Sequence, residues 1–197
     1  MQIIQLLQAQ GDDWQQAQAL YCDIFPPWER EAVADIEQAI KQGKTRCVIV
    51  RQNNTVIGVS LTELYPQHAF ALLGYLFVDP KYQGQGLGQR LCRELFEFIQ
   101  QHHSIEYLLV EAEAGPEAFY EKLGFQTFAI DYRSPHYDDD QETSMALMYQ
   151  SQLNTKAPSW SRLCAIVEHI YTHSYYLNQD DPRRHRQVQR ILSKENQ

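Results

Sequence analysis

Three closely spaced glycines stand between an apolar segment and a segment with helical periodicity. The apolar run Phe70–Val78 leads toward Gly84, Gly86 and Gly88, and apolar residues recur at helical spacing from Leu87 onward. Glycine lets the backbone approach a ligand closely, and the unpaired N–H groups of a helix's first turn attract anions. The helix end adds a partial charge of about +0.5. This order of strand, turn and helix predicts a site for a diphosphate.

The spacing of the glycines separates the common kinds of phosphate-binding turn. A P-loop ends in Gly-Lys-Ser/Thr, and no lysine directly follows these glycines. The segment reads G-x-G-x-G rather than G-x-G-x-x-G, and the first strand of the chain carries no such fingerprint, which argues against a dinucleotide fold. The remaining pattern, Gln83-x-x-Gly86-x-Gly88, resembles the Gln/Arg-x-x-Gly-x-Gly/Ala turn of the GNAT N-acetyltransferase superfamily.

A second segment is similar to the same family. Tyr120, Gly124 and Phe125 match its downstream pattern Phe/Leu-Tyr-x-x-x-Gly-Phe, and a strand-like stretch, residues 107–110, comes before them. Pro116 is predicted to be the first helical residue, and Gly124 the left-handed residue that ends the helix. The resemblance is specific over residues 48–130 and indicates little after residue 150.

The resemblance implies acetyl-coenzyme A as the co-substrate. In the family the glycine turn and its helix hold the pyrophosphate, a role that falls here to Gln83, Gly84, Gln85, Gly86, Leu87, Gly88 and Gln89. The preceding strand offers backbone groups to the pantetheine arm and the acetyl carbonyl, and its matching residues are Leu76, Phe77 and Val78. The Val78 N–H is the expected donor to the carbonyl.

Acetyl transfer from a thioester to an amine needs an acid as well as a base. The amine must lose a proton, because a lysine-like amine has a pKa of about 10.4, and the departing thiolate benefits from a proton donor. By its motif position, Tyr120 resembles the family tyrosine that protonates the coenzyme A thiolate. A phenol with a pKa near 10 is protonated at pH 7 and can fill this role.

The general base is open. In many family members an acid lies on the central strand or the next one, but the matching positions here are the apolar Leu72 and Leu108. The candidate carboxylates are Glu63, Glu111, Glu113 and Glu29. Each of them also fits a solvated surface carboxylate, and a base that acts through water, or no base, stays open as well.

Length and composition favour one globular domain with an appendage. The chain has 197 residues, and we predict an acetyltransferase domain over residues 1–150 and a helical C-terminal extension over residues 151–197. The sequence shows neither an apolar run of transmembrane length nor a basic leader, which predicts a cytoplasmic protein without a membrane partner. The four cysteines are scattered without a C-x-x-C pair, which favours reduced thiols.

The net charge of −8 is unevenly distributed. Residues 1–155 carry 10 Lys/Arg against 21 Asp/Glu, and residues 156–197 carry 7 against 4. An acidic body argues against nucleic-acid binding and suits a cationic substrate, although acidity also simply favours solubility. We interpret Asp138-Asp139-Asp140 as a solvated loop and expect no metal. The cluster at residues 183–186 is interpreted as a solvated helix face, with a phosphate or an acidic partner as alternatives.

The periodicities predict strands and helices in the order of a GNAT fold. Strands are expected at 3–7, 46–51, 55–62, 70–78, 107–110, 126–131 and 142–149, with a polar loop at 134–141. A first helix is expected from Asp13, with Asp13 and Gln16 as its N-terminal capping pair. Further helices are expected at 31–42, at 87–101 and around Tyr120, followed by two helices in the extension. The predicted fold class is therefore α/β (α+β), a mixed sheet with flanking helices and a helical C-terminal extension.

The leading hypothesis is an enzyme that moves an acetyl group from acetyl-coenzyme A directly to a primary amine of a small molecule or a protein. The alternative is a non-catalytic acyl-coenzyme A sensor or interaction module on the same fold. The acceptor is open, because loops at residues 25–30, 63–68 and 134–141 would form its pocket. The apolar stripe from Trp160 to Tyr171 is expected to pack onto the body or to form a homodimer through the C-terminal helices.

Overall fold

The computed structural model describes residues 1–151 and 157–195. The chain divides into two compact units, Met1–Leu108 and Leu109–Gln197. None of the helices in the described residues is long and apolar enough to span a membrane. The prediction that the acetyltransferase domain ends at residue 150 is a different division of the chain, and it stays a prediction.

The first unit is built on four antiparallel strands in chain order. Their bounds are β1 Gln2–Leu6, β2 Thr45–Gln52, β3 Thr55–Tyr65 and β4 Phe70–Val78. The turn between β2 and β3 places Asn53 and Asn54 at φ values of 49° and 62°. Two consecutive left-handed residues are what a two-residue type I′ hairpin requires, and asparagine tolerates that conformation. The predicted strands and this hairpin are confirmed.

Helices cover both faces of this sheet because its strands present apolar side chains on alternate sides. The helices are α1 Gly11–Ile24, α2 Val33–Lys41 and α3 Leu87–Gln100. On one face Trp14 and Ile36 pack with Phe77. On the other, Leu91 packs with Ile57. Burial of these side chains fixes the register of the strands and therefore the face of the sheet on which each helix packs.

The predicted start of the first helix is wrong. The helix begins at Gly11, with Gln10 in the preceding position, and no side chain within the described chain caps this end. Asp13 instead pairs with Arg51 at 3.0 Å, and the Gln16 carboxamide accepts the Val56 N–H at 3.0 Å. The two residues that resemble a capping box therefore join the helix to the β2–β3 hairpin.

The second unit continues from β5 Tyr107–Ala112, which straddles the boundary between the units. It contains α4 Ala114–Glu121, β6 Gln126–Thr127, β7 Tyr132–Pro135, β8 Glu142–Ser151, α5 Trp160–His173 and α6 Pro182–Glu195. Strand β8 pairs antiparallel with both β6 and β7, and it neighbours β5. The strands, flanking helices and C-terminal helices confirm the predicted fold class.

Two boundaries in this unit differ from the prediction. The expected strand at 126–131 is present only as β6, and a strand that was not predicted, β7, takes up the start of the predicted polar loop because Tyr132 to Pro135 pair with β8. Helix α4 begins at Ala114 rather than at Pro116. Proline is tolerated there because the first turn of a helix has no intrahelical acceptor for its N–H.

The C-terminal helices have buried faces within the second unit. Leu163, Val167, Ile170 and Tyr171 of the predicted stripe are buried, and α6 packs against α5. The prediction of a solvated arginine face is wrong at Arg183, which is only 6% exposed and donates to Asp181 at 2.8 Å and to the Asp139 carbonyl at 3.0 Å. A buried guanidinium persists because these acceptors replace its hydration.

Candidate active site

The glycine turn is held open by contacts among its own residues. The Asp79 carboxylate accepts the Lys81 N–H at 2.9 Å, and the Gln83 carboxamide donates to the Val78 carbonyl at 3.2 Å. Gly84 and Gly86 have φ values of 75° and 74°, in the left-handed region that favours glycine. The left-handed backbone explains why glycines stand at residues 84 and 86.

Helix α3 begins directly after Gly86 with its first-turn N–H groups directed out of the turn. Among the described residues no side chain caps this end, and residues 83–86 are exposed. The Gly86 carbonyl accepts the Arg90 N–H at 3.1 Å, which is the first intrahelical bond. The N-terminus of a 14-residue helix therefore faces solvent beside exposed backbone.

Strand β4 presents backbone groups of its last residues on its edge away from β3. The Asp79 N–H donates to the Ile57 carbonyl at 3.0 Å, so that pair is hydrogen-bonded. Hydrogen-bonded and non-hydrogen-bonded pairs alternate along antiparallel strands, and the register pairs Val78 with Gly58. The N–H groups of Val78 and Leu76 consequently point away from β3.

A β-bulge interrupts β4 at Gly74. Leu61 pairs with Tyr75 and Thr62 pairs with Leu73, so Gly74 is the extra residue. In β4, which the structure describes throughout, Gly74 is the one exposed residue. A Cβ atom at this position would stand 3.3 Å from Glu63 Oε1. The bulge therefore leaves an uncovered stretch of backbone beside a carboxylate.

Glu63 is held at the bulge by its neighbours on β3. It pairs across the strands with Leu72, and its Oε2 accepts the hydroxyl of Tyr65. Tyr65 is itself partly exposed, and its ring lies 4.9 Å from that of Phe70. The Tyr65 hydroxyl thus holds one oxygen of the carboxylate, and the other oxygen lies near the backbone of Gly74.

Tyr75, the residue after the bulge, anchors the segment that follows α1. Its hydroxyl donates to the Glu29 carbonyl at 2.9 Å and accepts the Glu31 N–H at 3.0 Å. The Tyr21 hydroxyl donates to the Glu31 carbonyl at 3.1 Å. The predicted acceptor loop at residues 25–30 is thus fixed through its backbone to the strand that carries Gly74.

Tyr120 is buried in the second unit, on the last turn of α4. Only 6% of its surface is exposed, and its ring meets that of Phe125 edge-on at a centroid distance of 5.5 Å. Its carbonyl accepts the N–H groups of Leu123 and Phe125, and Gly124 adopts a φ of 90°. The predicted left-handed helix end at Gly124 is confirmed.

Two of the other three base candidates, Glu111 and Glu113, have different surroundings. Both oxygens of Glu111 accept tyrosine hydroxyls, from Tyr132 at Oε1 and from Tyr175 at Oε2, the latter at 2.7 Å. The interpretation of Glu111 as a solvated surface carboxylate is therefore wrong. Glu113 is exposed and occupies the position before α4, where the helix dipole favours a negative charge.

Two further groups of potentially reactive side chains lie in surroundings that favour a structural role. Burial raises the pKa of the Cys47 and Cys92 thiols to about 12, so both are protonated at neutral pH. In the loop before β8, ligand atoms of His136, Asp138 and Asp139 lie within 4.8 Å of one another. Asp139 there accepts the Gln141 N–H at 2.7 Å, which braces the loop.

Sequence reasoning did not identify two features of this region. Gly74 lies inside an apolar strand pattern, and an isolated glycine in a strand is the signal of a bulge that could have located it. Lys81 and Arg90 are exposed cations on either side of the turn, which the motif alone does not select.

Structural comparisons find the same fold in acetyltransferases. A Bacteroides thetaiotaomicron protein assigned to the GNAT family superposes with a TM-score of 0.70 at 19% identity, over 90% of this chain and 100% of the other. An aminoglycoside 6′-N-acetyltransferase in complex with coenzyme A gives 0.64 at 14%, over 81% and 100%. The ribosomal-protein-S18-alanine N-acetyltransferase of Escherichia coli gives 0.54 at 22%, over 80% and 96%.

The comparison with curated proteins finds no match. The family model described as "Acetyltransferase (GNAT) family" matches residues 14–125, which include both the glycine turn and the Tyr120 helix. That match spans more than half of the chain and agrees with the fold and with both motifs. The chain belongs to the GNAT acetyltransferase family.

Proposed function

We propose that the protein is an N-acetyltransferase that moves an acetyl group from acetyl-coenzyme A directly to a primary amine. The observation that carries the proposal is the turn at residues 83–88, where two left-handed glycines open an uncapped helix N-terminus at the end of β4. Backbone N–H groups and the helix dipole suit a pyrophosphate there. The exposed Lys81 and Arg90 add positive charge for the phosphates.

The outer edge of β4 supports a role in binding the rest of the donor. The Val78 and Leu76 N–H groups point away from β3, as a strand that receives the pantetheine arm and the acetyl carbonyl requires. A backbone N–H aimed at the carbonyl oxygen would stabilise the negative charge that develops there during attack. Val78 keeps the role that its motif position implies.

Glu63 is the base that the geometry supports best. It lies across from Leu72, one of the positions where many family members carry an acid, and beside the exposed backbone of Gly74. The carboxylate would take a proton from the acceptor amine, and the nitrogen lone pair would then attack the thioester carbon. Glu111 fits this role less well because both of its oxygens accept hydroxyls.

Tyr120 is the proposed acid. As the carbon–sulfur bond breaks, its phenol would give a proton to the thiolate and form coenzyme A with a free thiol. The role rests on the motif and on the chemistry of a phenol that is protonated at pH 7. Each proton transfer of this kind typically contributes about 10²–10⁴ to the rate.

An assay of thiol release from acetyl-coenzyme A with a panel of primary amines tests the proposal. Release with at least one amine is expected, and Tyr120→Phe and Glu63→Gln should each lower kcat about 100-fold or more. Glu97→Gln, which removes an exposed carboxylate on α3, is the matched control and should change kcat less than twofold. Full activity of Glu63→Gln together with an inactive Glu113→Gln would transfer the base to Glu113.

The non-catalytic sensor is the second candidate, and the apolar Leu72 and Leu108 favour it. Calorimetric titration with coenzyme A separates the two functions. Tight binding without thiol release from any amine would support the sensor, and failure to bind would exclude both. A cytoplasmic location and a homodimer through the C-terminal helices stay predictions, and the dimer is tested by light scattering on the full chain.

A further inference from the structure

The Glu111 cluster, defined as Glu111, Tyr132, Ser134 and Tyr175, is a chain of hydrogen bonds within the second unit. Tyr175 donates its one hydroxyl proton to Glu111, so the Ser134 hydroxyl, 2.6 Å from the Tyr175 oxygen, is the donor in that contact. Tyr132 is 1% exposed and donates to the other oxygen of Glu111. The carboxylate is thereby fixed from two sides.

Three separate parts of the chain meet in this cluster. Glu111 belongs to β5, Tyr132 and Ser134 belong to β7, and Tyr175 follows α5 in the C-terminal extension. Burial and the charge of Glu111 raise the pKa of Tyr132 well above its usual value, so this phenol remains a donor at any pH near neutral. The extension therefore holds the end of β5 through a charged hydrogen bond, which is stronger than a neutral one.

The held residue lies just before the helix that carries Tyr120. Glu111 stands two residues before Glu113, the position from which α4 starts. Helix α4 also has contacts of its own, from Thr127 to Glu117 in its first turn at 2.8 Å and from Gln150 to the carbonyl of Leu123, just after its end, at 3.2 Å. Thr127 thus holds the first turn and Gln150 the end of the helix, while the Glu111 cluster fixes the end of the strand that leads into it.

We propose that Tyr175 is a positioning residue for acetyl transfer, which acts through Glu111 on the orientation of α4; this rests on the proposed function. An eight-residue helix is about 12 Å long at 1.5 Å per residue, so a tilt of about 5° at its start moves its end by about 1 Å. A misplacement of about 1 Å can reduce a rate by up to about 100-fold. Through this one side chain the C-terminal extension then influences the rate without contacting the reacting atoms.

Tyr175→Phe tests this proposal because it removes only the hydroxyl. We expect kcat to fall about tenfold while the KM for acetyl-coenzyme A changes less than twofold. Tyr171→Phe is the matched control, since Tyr171 belongs to the same extension and donates to the Arg133 carbonyl rather than to Glu111. The kcat of Tyr171→Phe should change less than twofold even if its melting temperature falls as much as that of Tyr175→Phe. Equal losses of kcat in the two variants, or no loss in either, would overturn the proposal.

Hydrogen exchange separates a failure of this proposal from a failure of the proposed function. Amides of residues 112–121 should exchange faster in Tyr175→Phe than in the unmodified chain, and Tyr171→Phe should leave them unchanged. This readout needs no substrate, so it holds even if no amine releases thiol and the proposed function fails. Exchange in this helix that is the same in all three proteins would refute the positioning role.

Discussion

The glycine turn of the first unit and the Glu111 cluster of the second are built in opposite ways. The turn is formed by residues that lie within about a dozen positions of one another, and the groups that face solvent are largely backbone. The cluster joins side chains of residues 111, 132, 134 and 175. A change in the turn should therefore act mainly on ligand affinity, whereas a change in or near the cluster should act on the position of α4 or on folding.

This contrast requires that the helix behind the turn is fixed by contacts outside the turn. Arg46 of β2 provides one, because its guanidinium is 6% exposed, donates to Glu94 of α3 at 2.8 Å and lies 4.2 Å from the Phe98 ring centre. Arg46→Met should lower the free energy of unfolding by about 3 kcal/mol, since it leaves a partly buried carboxylate unpaired. Urea denaturation measures this effect.

Arg133→Met is the control for that variant. Its partner Asp131 has a side chain that is 52% exposed, and an exposed pair is worth about 0–1 kcal/mol. A cost as large for Arg133→Met as for Arg46→Met would show that the Arg46 pair has no special role in holding α3.

In the second unit, a substitution at Gln187 of α6 should lower the free energy of unfolding. This side chain is fully buried and bridges β7, since it donates to the Asp131 carbonyl and accepts the Arg133 N–H, both at 3.2 Å. Gln187→Leu should cost about 2 kcal/mol because it leaves two backbone groups without their partner. Gln189→Leu, an exposed position two residues further on the same helix, should change stability by less than about 0.5 kcal/mol. Thermal unfolding of both variants decides between these outcomes.

In the glycine turn, a substitution at Gly86 should lower the affinity for coenzyme A. Gly43 is a matched control, because both glycines have φ near 70° and a Cβ at either would meet no described atom within 4 Å. Gly86→Ala and Gly43→Ala should each cost about 1 kcal/mol of stability from left-handed strain. Only Gly86→Ala should weaken coenzyme A binding, about tenfold by calorimetry. Equal affinities in both variants would contradict a phosphate site at the turn.

The smallest effect concerns the pH dependence of the second unit. A hydrogen bond from the Arg183 side chain lowers the pKa of Asp181 below its usual value near 3.9. This contribution to stability is complete above about pH 5 and is lost as the pH falls through the lowered pKa. Asp181→Asn should therefore flatten the decline in unfolding free energy between about pH 5 and pH 3, and Asp180→Asn, at an exposed position, should not.

Local chemistry explains which elements could be predicted. Strand β4 and the start of α3 lie where the apolar run and the glycines place them, and the β2–β3 turn follows from two asparagines. The predicted start of α1 was wrong because Asp13 and Gln16 contact the β2–β3 hairpin instead of capping their own helix. Strand β7 was missed because only its pairing with β8 makes it a strand.

The sequence by itself determined the family and the turn, and it predicted the type of donor, because glycines and helix starts act through the backbone of neighbouring residues. Only the tertiary structure distinguished the carboxylates. Glu63 and Glu111 look alike in the sequence. A bulge leaves Glu63 beside the exposed backbone of Gly74, whereas two tyrosines from distant segments donate hydrogen bonds to both oxygens of Glu111. A carboxylate's role depends on which groups surround it in space, and chain separation hides those groups from local patterns.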